Sequence, residues 1–272
     1  MPELPEVENI ALALKKNLTG RRLTGLQVDF AGVLAQSTRV TRGALVGKVL
    51  THVHRHGKYL ILGFTGDDGT QAFLMIHLRM TGQFFILDGF IPDQHVHLAF
   101  DFDGLLVHYR DIRKFGRLEL VEDGIAPAAL SHVGPDMMKV RFSEWHRRIG
   151  SRRAPIKALL LNQGIASGLG NIYVDESLFL AGVHPEARPC DLSEETLREV
   201  LKRGKQVMRL AIKHGGTTFM NFTNFHGKPG NFRRKLRVYG RGGQACRDCD
   251  SVLEKIVVGG RGTVFCPGCQ AL

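Results

Sequence analysis

Four cysteines near the C-terminus have the spacing of a metal site. Cys246 and Cys249 form one Cys-x2-Cys pair, and Cys266 and Cys269 form a second pair after sixteen intervening residues. Each pair can hold one side of a tetrahedral ion, and a hairpin between them brings the pairs together. In a chain with no sign of secretion, zinc is favoured over disulfide pairing. Because cysteine fills all four positions, the sequence predicts one structural Zn²⁺ ion.

The N-terminus carries a second group that could do chemistry. The chain begins Met1-Pro2-Glu3, and an initiator methionine before proline is normally removed, which exposes the secondary amine of Pro2. An α-amino group has a reference pKa near 7.7–8.0, so a useful fraction is unprotonated at neutral pH. Such an amine can condense with a sugar aldehyde carbon to give a charged iminium, which is an electron sink. Alternatively, Pro2 and Pro5 only begin a helix.

The charge of the chain is unevenly distributed. There are 37 Lys and Arg residues against 26 Asp and Glu, which gives a formal net charge of +11. Residues 1–135 have net charge zero, so the whole excess lies in residues 136–272. This asymmetry favours a polyanionic partner, most often nucleic acid, over a basic solvated surface without a partner.

The composition also excludes several classes of protein. Hydrophobic residues make up 43% of the chain, which is enough to offset chain entropy and excludes wholesale disorder. No apolar run approaches the roughly 18–20 residues of a membrane span. The acidic N-terminus is unlike a secretory signal. We therefore expect a cytoplasmic protein with no membrane partner.

The N-terminal half predicts one helix followed by short strands. Apolar residues recur at three- and four-residue spacing from Leu4 to Leu18, and Gly20 ends this helix. Many short strands with tight turns, as at His56-Gly57 and Asp103-Gly104, suggest a sandwich or barrel. The predicted strands are Leu26–Phe30, Val49–Arg55, Tyr59–Phe64, Ala72–His77, Gln83–Leu87, His97–Phe102, Leu105–Tyr109 and Arg117–Val121.

The pattern changes to helices after Pro135. A glycine-rich stretch, Gly164–Gly170, precedes one of them, and Asn171 is its predicted N-cap. Ser193 is predicted to cap a long helix that ends at Lys213. The predicted helices are Phe142–Ile149, Ile156–Leu161, Ile172–Ala181 and the one that follows Ser193.

These elements predict an α+β fold with two domains. The first is an N-terminal β-sandwich with flanking helices, and the second is helical and ends in a zinc β-hairpin. The predicted boundaries are residues 1–135 for the sandwich, 136–235 for the helical domain and 236–272 for the zinc hairpin. Residues 217–235 lack periodicity and predict a mobile loop.

Together these motifs resemble the formamidopyrimidine-DNA glycosylase family, whose members remove oxidised purines from DNA. The matches span the chain in order, and the N-terminal run with the cysteine tail is highly specific as a pair. The resemblance implies a helix–two-turns–helix element and damaged double-stranded DNA as partner. We expect no organic cofactor, because the nucleophile is the chain's own amine. A monomer is the default expectation, and we expect a bacterial cytosolic location. The matching motifs are Met1–Glu8, Gly57–Tyr59, His77–Gly82, Arg113–Gly116, Gly168–Tyr173, Gly215–Thr218, Gly227–Gly230 and the four cysteines.

The resemblance also implies catalytic roles at the N-terminus. Pro2 attacks C1′ of the damaged nucleotide, the base leaves, and successive β- and δ-eliminations cut the strand on both sides. Glu3 is the general acid and base, and we expect Glu6, about one helical turn on, to position the amine. Lys58 reaches a phosphate near the lesion. Alternatively, both acids only complement a helix dipole and Lys58 is a solvated hairpin lysine.

A base inside a duplex must be extruded before its sugar is attacked, and side chains must fill the space that it leaves. By resemblance these side chains are Met80, Arg113 and Phe115. Methionine is apolar and adaptable, phenylalanine can wedge between bases, and arginine can bind the orphaned base. The alternative is a core Met, a core Phe and a surface Arg.

Further DNA contacts are predicted along the chain. Backbone N–H groups of a glycine-rich loop at a helix start can bind phosphate. The loop at residues 217–232 corresponds to the family's loop over the extruded base. Its named residues are Thr217, Thr218, Gly227 and Lys228, and the other predicted DNA contacts are Asn171, Lys157, Arg261, His95, Arg113 and His77.

Three other interpretations stay open from sequence alone. The sister enzyme endonuclease VIII prefers oxidised pyrimidines, but Leu4 and the Arg113-x-Phe115 motif favour the purine enzyme. A non-catalytic DNA-binding protein would be expected to lose Pro2 or its partners. A zinc-ribbon component of other machinery explains only the tail. Arg79 and Thr81 stand where many members carry glycine and serine, which affects fine lesion preference.

Overall fold

The computed structural model of the chain describes residues 1–86, 93–124, 127–217 and 230–271. The chain divides into two compact units. The first consists of Met1–His132 with His214–Asn231, and the second of Val133–Lys213 with Phe232–Leu272. The described residues 214–217, 230 and 231 group with the first unit, and the predicted domain boundaries stay a prediction. One reason for this grouping is that the backbone N–H of Thr217 is bonded to the carboxylate of Glu6.

The first unit opens with helix α1, Leu4–Leu18, as predicted. Glu3 is its N-cap, and Glu3 and Glu6 form a capping box in which each side chain accepts from the other's backbone N–H. The buried residues recur every three or four positions and pack against the sheet that follows. They include Leu4, Val7, Ile10, Ala11, Leu14 and Leu18.

Two antiparallel four-stranded sheets follow. One has the order β1 (Leu23–Val28), β6 (Val96–Phe102), β7 (Leu105–Arg110) and β5 (Gln83–Phe85). The other has the order β2 (Val49–His56), β3 (Tyr59–Thr65), β4 (Gln71–His77) and β8 (Arg117–Val121). Side chains from both sheets and from α1 join in one core cluster, so the predicted β-sandwich is confirmed. Leu87, predicted to end the fifth strand, lies outside the described residues.

Two elements of this unit differ from the prediction. Strand β1 begins at Leu23, because an irregularity between Leu23 and Gly25 interrupts the alternation that would have marked it. Helix α2, Thr38–Leu45, was not predicted; only Thr41 and Leu45 are buried in it, so its periodicity is weak.

The second unit is built around α5, Asn171–Ala181, whose first eight residues after Asn171 are all buried. It packs against α4 (Ile156–Leu161), α6 (Glu194–Lys213) and strand β10 (Arg261–Phe265). Helix α3 (Phe142–Ile149) contacts α6, and β9 (Glu254–Val258) pairs with β10 in the C-terminal hairpin. The predicted cap of α6 is present, since Ser193 Oγ accepts from Thr196 N at 3.1 Å.

Within the described part of the chain, none of the helices is both long enough and apolar enough to cross a bilayer.

Candidate active site

The N-terminal residues are held in place by one carboxylate. Glu6 is buried, its Oε2 accepts from Glu3 N at 2.9 Å, and its Oε1 accepts from Thr217 N at 2.7 Å. Gly216 has φ +84°, and a Cβ atom there would lie 2.8 Å from Glu6 Oε1. A glycine is therefore needed at position 216 for this contact. Glu6 thus joins the segment that carries Pro2 to the first residue of the predicted lesion loop.

Pro2 and Glu3 are both buried, whereas Met1 is exposed. While Met1 is attached, the Pro2 nitrogen is an amide and has no nucleophilic lone pair. Exposure of Met1 leaves it accessible for removal, and that removal would create the secondary amine at the start of α1.

Lys58 lies in the turn between β2 and β3 and is largely buried. This turn is tied to α1 by Arg55, whose Nη1 donates to Gly57 O at 3.0 Å and whose Nε is bonded to the Glu8 carboxylate. The predicted catalytic residues of α1 and the Lys58 turn are therefore held in one framework. The positive charge of Lys58 also acts on His77, and lowers its pKa.

His77 ends strand β4 with a defined protonation state. Its Nδ1 accepts from Arg79 N at 3.0 Å, and its ring meets the Tyr59 ring edge-on at 4.5 Å. Burial lowers the pKa of His77 from 6.5 to about 3, and the charges of Arg79 and Lys58 act in the same direction. With Nδ1 as acceptor, the neutral ring carries its proton on Nε2. This arrangement suits a neutral donor to a phosphate.

We expect His77 to remain neutral over the physiological pH range. A depressed folded pKa means that His77 contributes stability above its unfolded value near 6.5, and this stability is lost as the pH falls toward about 3. An NMR titration, with the resonance assigned through a His77→Gln variant, should show no change between about pH 8 and pH 5. A titration midpoint near 6.5 would contradict this prediction.

Two loops of the first unit present exposed side chains. Met80 is 40% exposed and Phe115 is 55% exposed, while the Arg113 guanidinium lies 4.5 Å from the centroid of the Phe115 ring. The alternative of core residues at Met80 and Phe115 is therefore wrong. Arg79 and Lys114, one in each loop, have φ values of 53° and 58°. Non-glycine residues rarely adopt this region, and such strain is common at functional loops.

Sequence reasoning missed Asp111, which joins these two loops. Its carboxylate is 0% exposed and accepts from Gly116 N at 2.7 Å, from Arg113 N at 3.3 Å and from the Thr81 hydroxyl. The Tyr109 hydroxyl donates to it at 3.4 Å. A charged residue directly after a buried strand and before an exposed loop was the only signal for this role.

The structure places the two departures from the family pattern in different settings, and only Thr81 contacts Asp111. Thr81 donates its hydroxyl to Asp111 and accepts from Arg113 N at 3.1 Å, and a serine hydroxyl can make the same bonds. Arg79 has the positive φ that glycine adopts without cost. Thr81 is thus a conservative change, whereas Arg79 adds backbone strain.

His95 is half-buried, and its backbone carbonyl accepts from Asp111 N at 2.9 Å. Thr217 is buried and forms an isolated bridge with Asn231. Thr218, Gly227 and Lys228 lie outside the described residues.

In the second unit, the zinc hairpin meets the start of α5. Gly262 O accepts from Asn171 Nδ2 at 2.9 Å and from Lys157 Nζ at 3.1 Å. Arg261 is exposed and directly precedes Gly262 in the hairpin. Asn171 Oδ1 is buried and has no hydrogen-bond partner among the described residues. Asn171 is the first residue of α5 and Gly170 is the N-cap, so the predicted Asn171 cap is wrong.

Lys157, predicted to add positive charge to the phosphate site, is buried in this structure, and its part in DNA binding stays a prediction. Its side chain is 0% exposed, and its ammonium lies 2.6 Å from Asp175 Oδ1. Burial raises the pKa of Asp175 to about 6, against the attraction of the Lys157 charge. Asp175 Oδ2 also accepts from Val264 N at 3.1 Å. The pair therefore positions the hairpin that carries Arg261.

The four cysteines come together as predicted. Their sulfur atoms all lie within 4.8 Å of one another, with Cys249 Sγ 3.3 Å from Cys266 Sγ. Four thiolates around one Zn²⁺ at about 2.3 Å each place the sulfurs roughly 3.8 Å apart, so the cluster fits the ion. Cys266 N also donates to Gln270 Oε1 at 2.9 Å, which orders the second pair.

Three family profiles match the chain in order. The formamidopyrimidine-DNA glycosylase N-terminal domain matches residues 1–118, its H2TH domain residues 133–223, and the zinc finger found in FPG and IleRS residues 243–272. Formamidopyrimidine-DNA glycosylase of Latilactobacillus sakei is 39% identical over 276 residues, covering 99% of this chain and 98% of that protein. The enzyme of Desulfitobacterium hafniense is 37% identical, covering 99% and 100%.

Solved structures match over the full length of both chains. Lactococcus lactis Fpg in complex with a THF-DNA and an inhibitor is 32% identical, with a TM-score of 0.89. MutM in complex with DNA that contains carbocyclic 8-oxo-G is 31% identical, with a TM-score of 0.87. Because the matches include every segment that carries the candidate site, the chain belongs to the formamidopyrimidine-DNA glycosylase family.

Proposed function

We propose that the chain excises oxidised purines from double-stranded DNA and cuts the resulting abasic strand through a Schiff base at Pro2. Membership of a family of bifunctional DNA glycosylases and abasic-site lyases supports the reaction class. The observation that carries the proposal is the buried Pro2-Glu3 pair at the start of α1, held by the Glu6 carboxylate.

In the proposed reaction Pro2 is the nucleophile and Glu3 transfers protons. After Met1 is removed, the Pro2 nitrogen attacks C1′, and the bond from C1′ to the base breaks with its electron pair leaving on the base. The proton that the Pro2 nitrogen loses on forming the new bond neutralises the departing base. Glu3, adjacent to the amine, gives a proton to the sugar ring oxygen as the ring opens to the iminium. Loss of a C2′ proton then expels the 3′ phosphate, and a second elimination expels the 5′ phosphate.

The other residues hold the DNA in place for this chemistry. Lys58 and the neutral His77 are close enough for the charge of one to affect the other, and both suit contacts to phosphates near the lesion. Asn171 and Arg261, brought together by Gly262, suit a further phosphate. His95 and the loop that begins at Thr217 stay proposed DNA contacts. The zinc ion, when bound, would only fix the hairpin that carries Arg261.

Met80, Arg113 and Phe115 suit the filling of the space left by the extruded base. Both apolar side chains are exposed on loops of the first unit, so they are free to enter a space between bases. The Arg113 guanidinium over the Phe115 ring leaves its donors available to an orphaned base. We also expect the enzyme to act as a monomer in the cytoplasm.

A second substrate class is oxidised pyrimidines. A solved structure of Lactococcus lactis Fpg, 32% identical to this chain with a TM-score of 0.87, is a complex with DNA that contains an oxidised pyrimidine. Another, 31% identical with a TM-score of 0.88, is a complex with Fapy-dG DNA. We rank purines first because Leu4 and the Arg113-x-Phe115 motif favour them.

Borohydride trapping tests the proposal. A duplex with one 8-oxoguanine opposite cytosine should give a covalent adduct, and peptide mapping should place it on Pro2 of protein that lacks Met1. An undamaged duplex should give none. The absence of an adduct and of strand cleavage, with duplex binding intact and Met1 removed, would overturn the proposal for purines. A duplex with an oxidised pyrimidine then tests the second class.

Asp111 supplies a prediction about base extrusion. Replacing Asp111 by Asn puts an NH₂ donor where two backbone N–H groups and a hydroxyl now donate, which costs about 1–3 kcal/mol of loop stability. We expect excision from duplex DNA to slow by roughly tenfold to a hundredfold. Cleavage of single-stranded abasic DNA, which needs no extrusion, should be unchanged.

The matched control is Asp101→Asn, because Asp101 accepts from Gly104 N at 2.7 Å in the β6–β7 turn of the same sandwich. That variant should excise from duplex DNA at the normal rate. Equal losses on duplex and single-stranded DNA in Asp111→Asn would instead assign Asp111 a general structural role.

A further inference from the structure

A basic pocket lies in the second unit, on residues to which no role has been assigned. It has a volume of about 430 Å³. Leu210 of α6 lines it together with cations from the short 3₁₀ helix Phe232–Lys235, from the segment that follows, and from between the first two zinc-site cysteines. These cations are Arg234, Lys235, Arg237 and Arg247.

Three of the four cations are electrostatically uncompensated. Arg237 Nη1 lies 2.6 Å from Asp248 Oδ1, so that charge is paired. Arg234, Lys235 and Arg247 are exposed, and within the described ranges none of them forms an ion pair with a carboxylate. Arg247 Nη1 donates at 3.4 Å to the backbone carbonyl of Arg234, which holds the two arginines close to each other. Their mutual repulsion makes the pocket a place where an anion gains free energy.

The backbone that carries these side chains is rigid. The Glu176 carboxylate is buried and accepts from three consecutive N–H groups, those of Arg237, Val238 and Tyr239, at 2.8, 2.9 and 2.9 Å. Phe232 is buried against the Tyr173 ring, at 5.9 Å between centroids. Arg247 is fixed by its place between two predicted zinc ligands. The cations are therefore presented in a preformed arrangement rather than on a loose basic tail.

We propose that Arg234, Lys235 and Arg247 form a second DNA-binding surface that takes the phosphodiester backbone of double-stranded DNA. Two guanidinium groups and an ammonium group suit successive phosphates, because guanidinium binds phosphate oxygens in a forked geometry. Leu210, 41% exposed, offers an apolar surface to the sugars. The inference rests on the proposed function, since it takes DNA as the polyanion. The DNA bound here is either the flank of the damaged duplex or a separate duplex.

The test is the salt dependence of binding to undamaged duplex DNA. A variant with Arg234→Gln, Lys235→Gln and Arg247→Gln should bind more weakly by about one to two orders of magnitude at 0.1 M salt. The slope of log affinity against log salt is negative, and its magnitude should decrease by about 2–3, because each phosphate that is no longer neutralised contributes roughly 0.9. Unchanged zinc content and thermal midpoint would verify the fold.

The control removes the same formal charge from cations that are already paired. A variant with Arg188→Gln, Arg198→Gln and Lys202→Gln loses partners of Asp191, Glu194 and Glu199. It should keep a salt slope close to that of the unmodified protein. Equal slopes for the two triple variants would overturn the proposal.

The source of the DNA is resolved by stoichiometry. Protein saturated with a damaged duplex is mixed with a second, labelled duplex. If the unmodified protein forms a ternary complex with both duplexes and the pocket variant does not, the pocket binds a separate duplex. If only one duplex binds per protein and the variant still shows a reduced salt slope, the pocket binds the flank of the damaged duplex. Trapping at Pro2 is scored separately, so a pocket that binds DNA without any trapping would refute the proposed function alone.

Discussion

Replacing Pro2 by glycine should strongly reduce the yield of the borohydride-trapped adduct and slow excision of 8-oxoguanine by at least about a hundredfold, roughly 2.7 kcal/mol of barrier. The variant replaces the secondary amine by the primary amine of the new residue, whose imine is not permanently charged, and glycine adds backbone freedom at the position where the nucleophile must be held. Because Pro2 precedes α1, the helix itself should be unaffected. Single-turnover excision and trapping on the same duplex measure the effect.

Pro5→Ala is the matched control for this prediction. Pro5 is the other proline of the first turn and is also buried, so its replacement perturbs the helix start without touching the amine. The Pro5→Ala variant should form the borohydride-trapped adduct in the same yield as the unmodified protein. If Pro2→Gly excised the base as fast as the unmodified protein, or if peptide mapping placed its adduct away from position 2, the prolines would serve only to begin the helix and the nucleophile would have to be sought elsewhere.

Replacing Cys266 by alanine should release the zinc ion and unfold the β9–β10 hairpin. A structural zinc ion contributes on the order of 10 kcal/mol to folding of its own module, more than a two-stranded hairpin can replace. Loss of the hairpin removes Gly262 O from Asn171 and Lys157, and leaves the buried Asp175–Lys157 pair exposed to water. We expect duplex affinity to fall at least about tenfold, with less than stoichiometric zinc by elemental analysis.

Cys190→Ala is the control, because Cys190 is exposed and lies outside the cluster of sulfur atoms. It should bind one zinc ion and DNA as the unmodified protein does. Treatment of the unmodified protein with a strong chelator should reproduce the Cys266 result. A Cys266 variant that kept its zinc and its DNA affinity would contradict the assignment of this site.

The features that were predictable from sequence depend on neighbours along the chain. Helix α1 follows from its apolar spacing, and the zinc site follows from two Cys-x2-Cys pairs. Short strands such as β3 and β8 were predictable because each contains apolar and β-branched residues and lies next to turn residues in the sequence. The family resemblance added the roles of Pro2 and Lys58, which their residue types alone left undecided.

The features that were missed depend on distant partners. Lys157 is a plausible surface cation in sequence, and only the fold brings it to Asp175 on the next helix and to Gly262 of the hairpin. Asp111 gains its role because Thr81, thirty residues away, reaches the same carboxylate. Such contacts have no periodic signal, so a single sequence does not contain a pattern that marks them.

The Glu6 carboxylate creates a thermodynamic linkage between two parts of the first unit. It is bonded at once to Glu3 N and to Thr217 N, which are more than 200 residues apart in the chain. The two hydrogen bonds are coupled through one carboxylate. Ordering of Thr217 therefore stabilises the segment that contains Pro2, and ordering of that segment stabilises Thr217 by the same free energy. A ligand that shifts Thr217 would therefore change the ordering of Pro2, and we expect these two segments to respond to a ligand as one cooperative element.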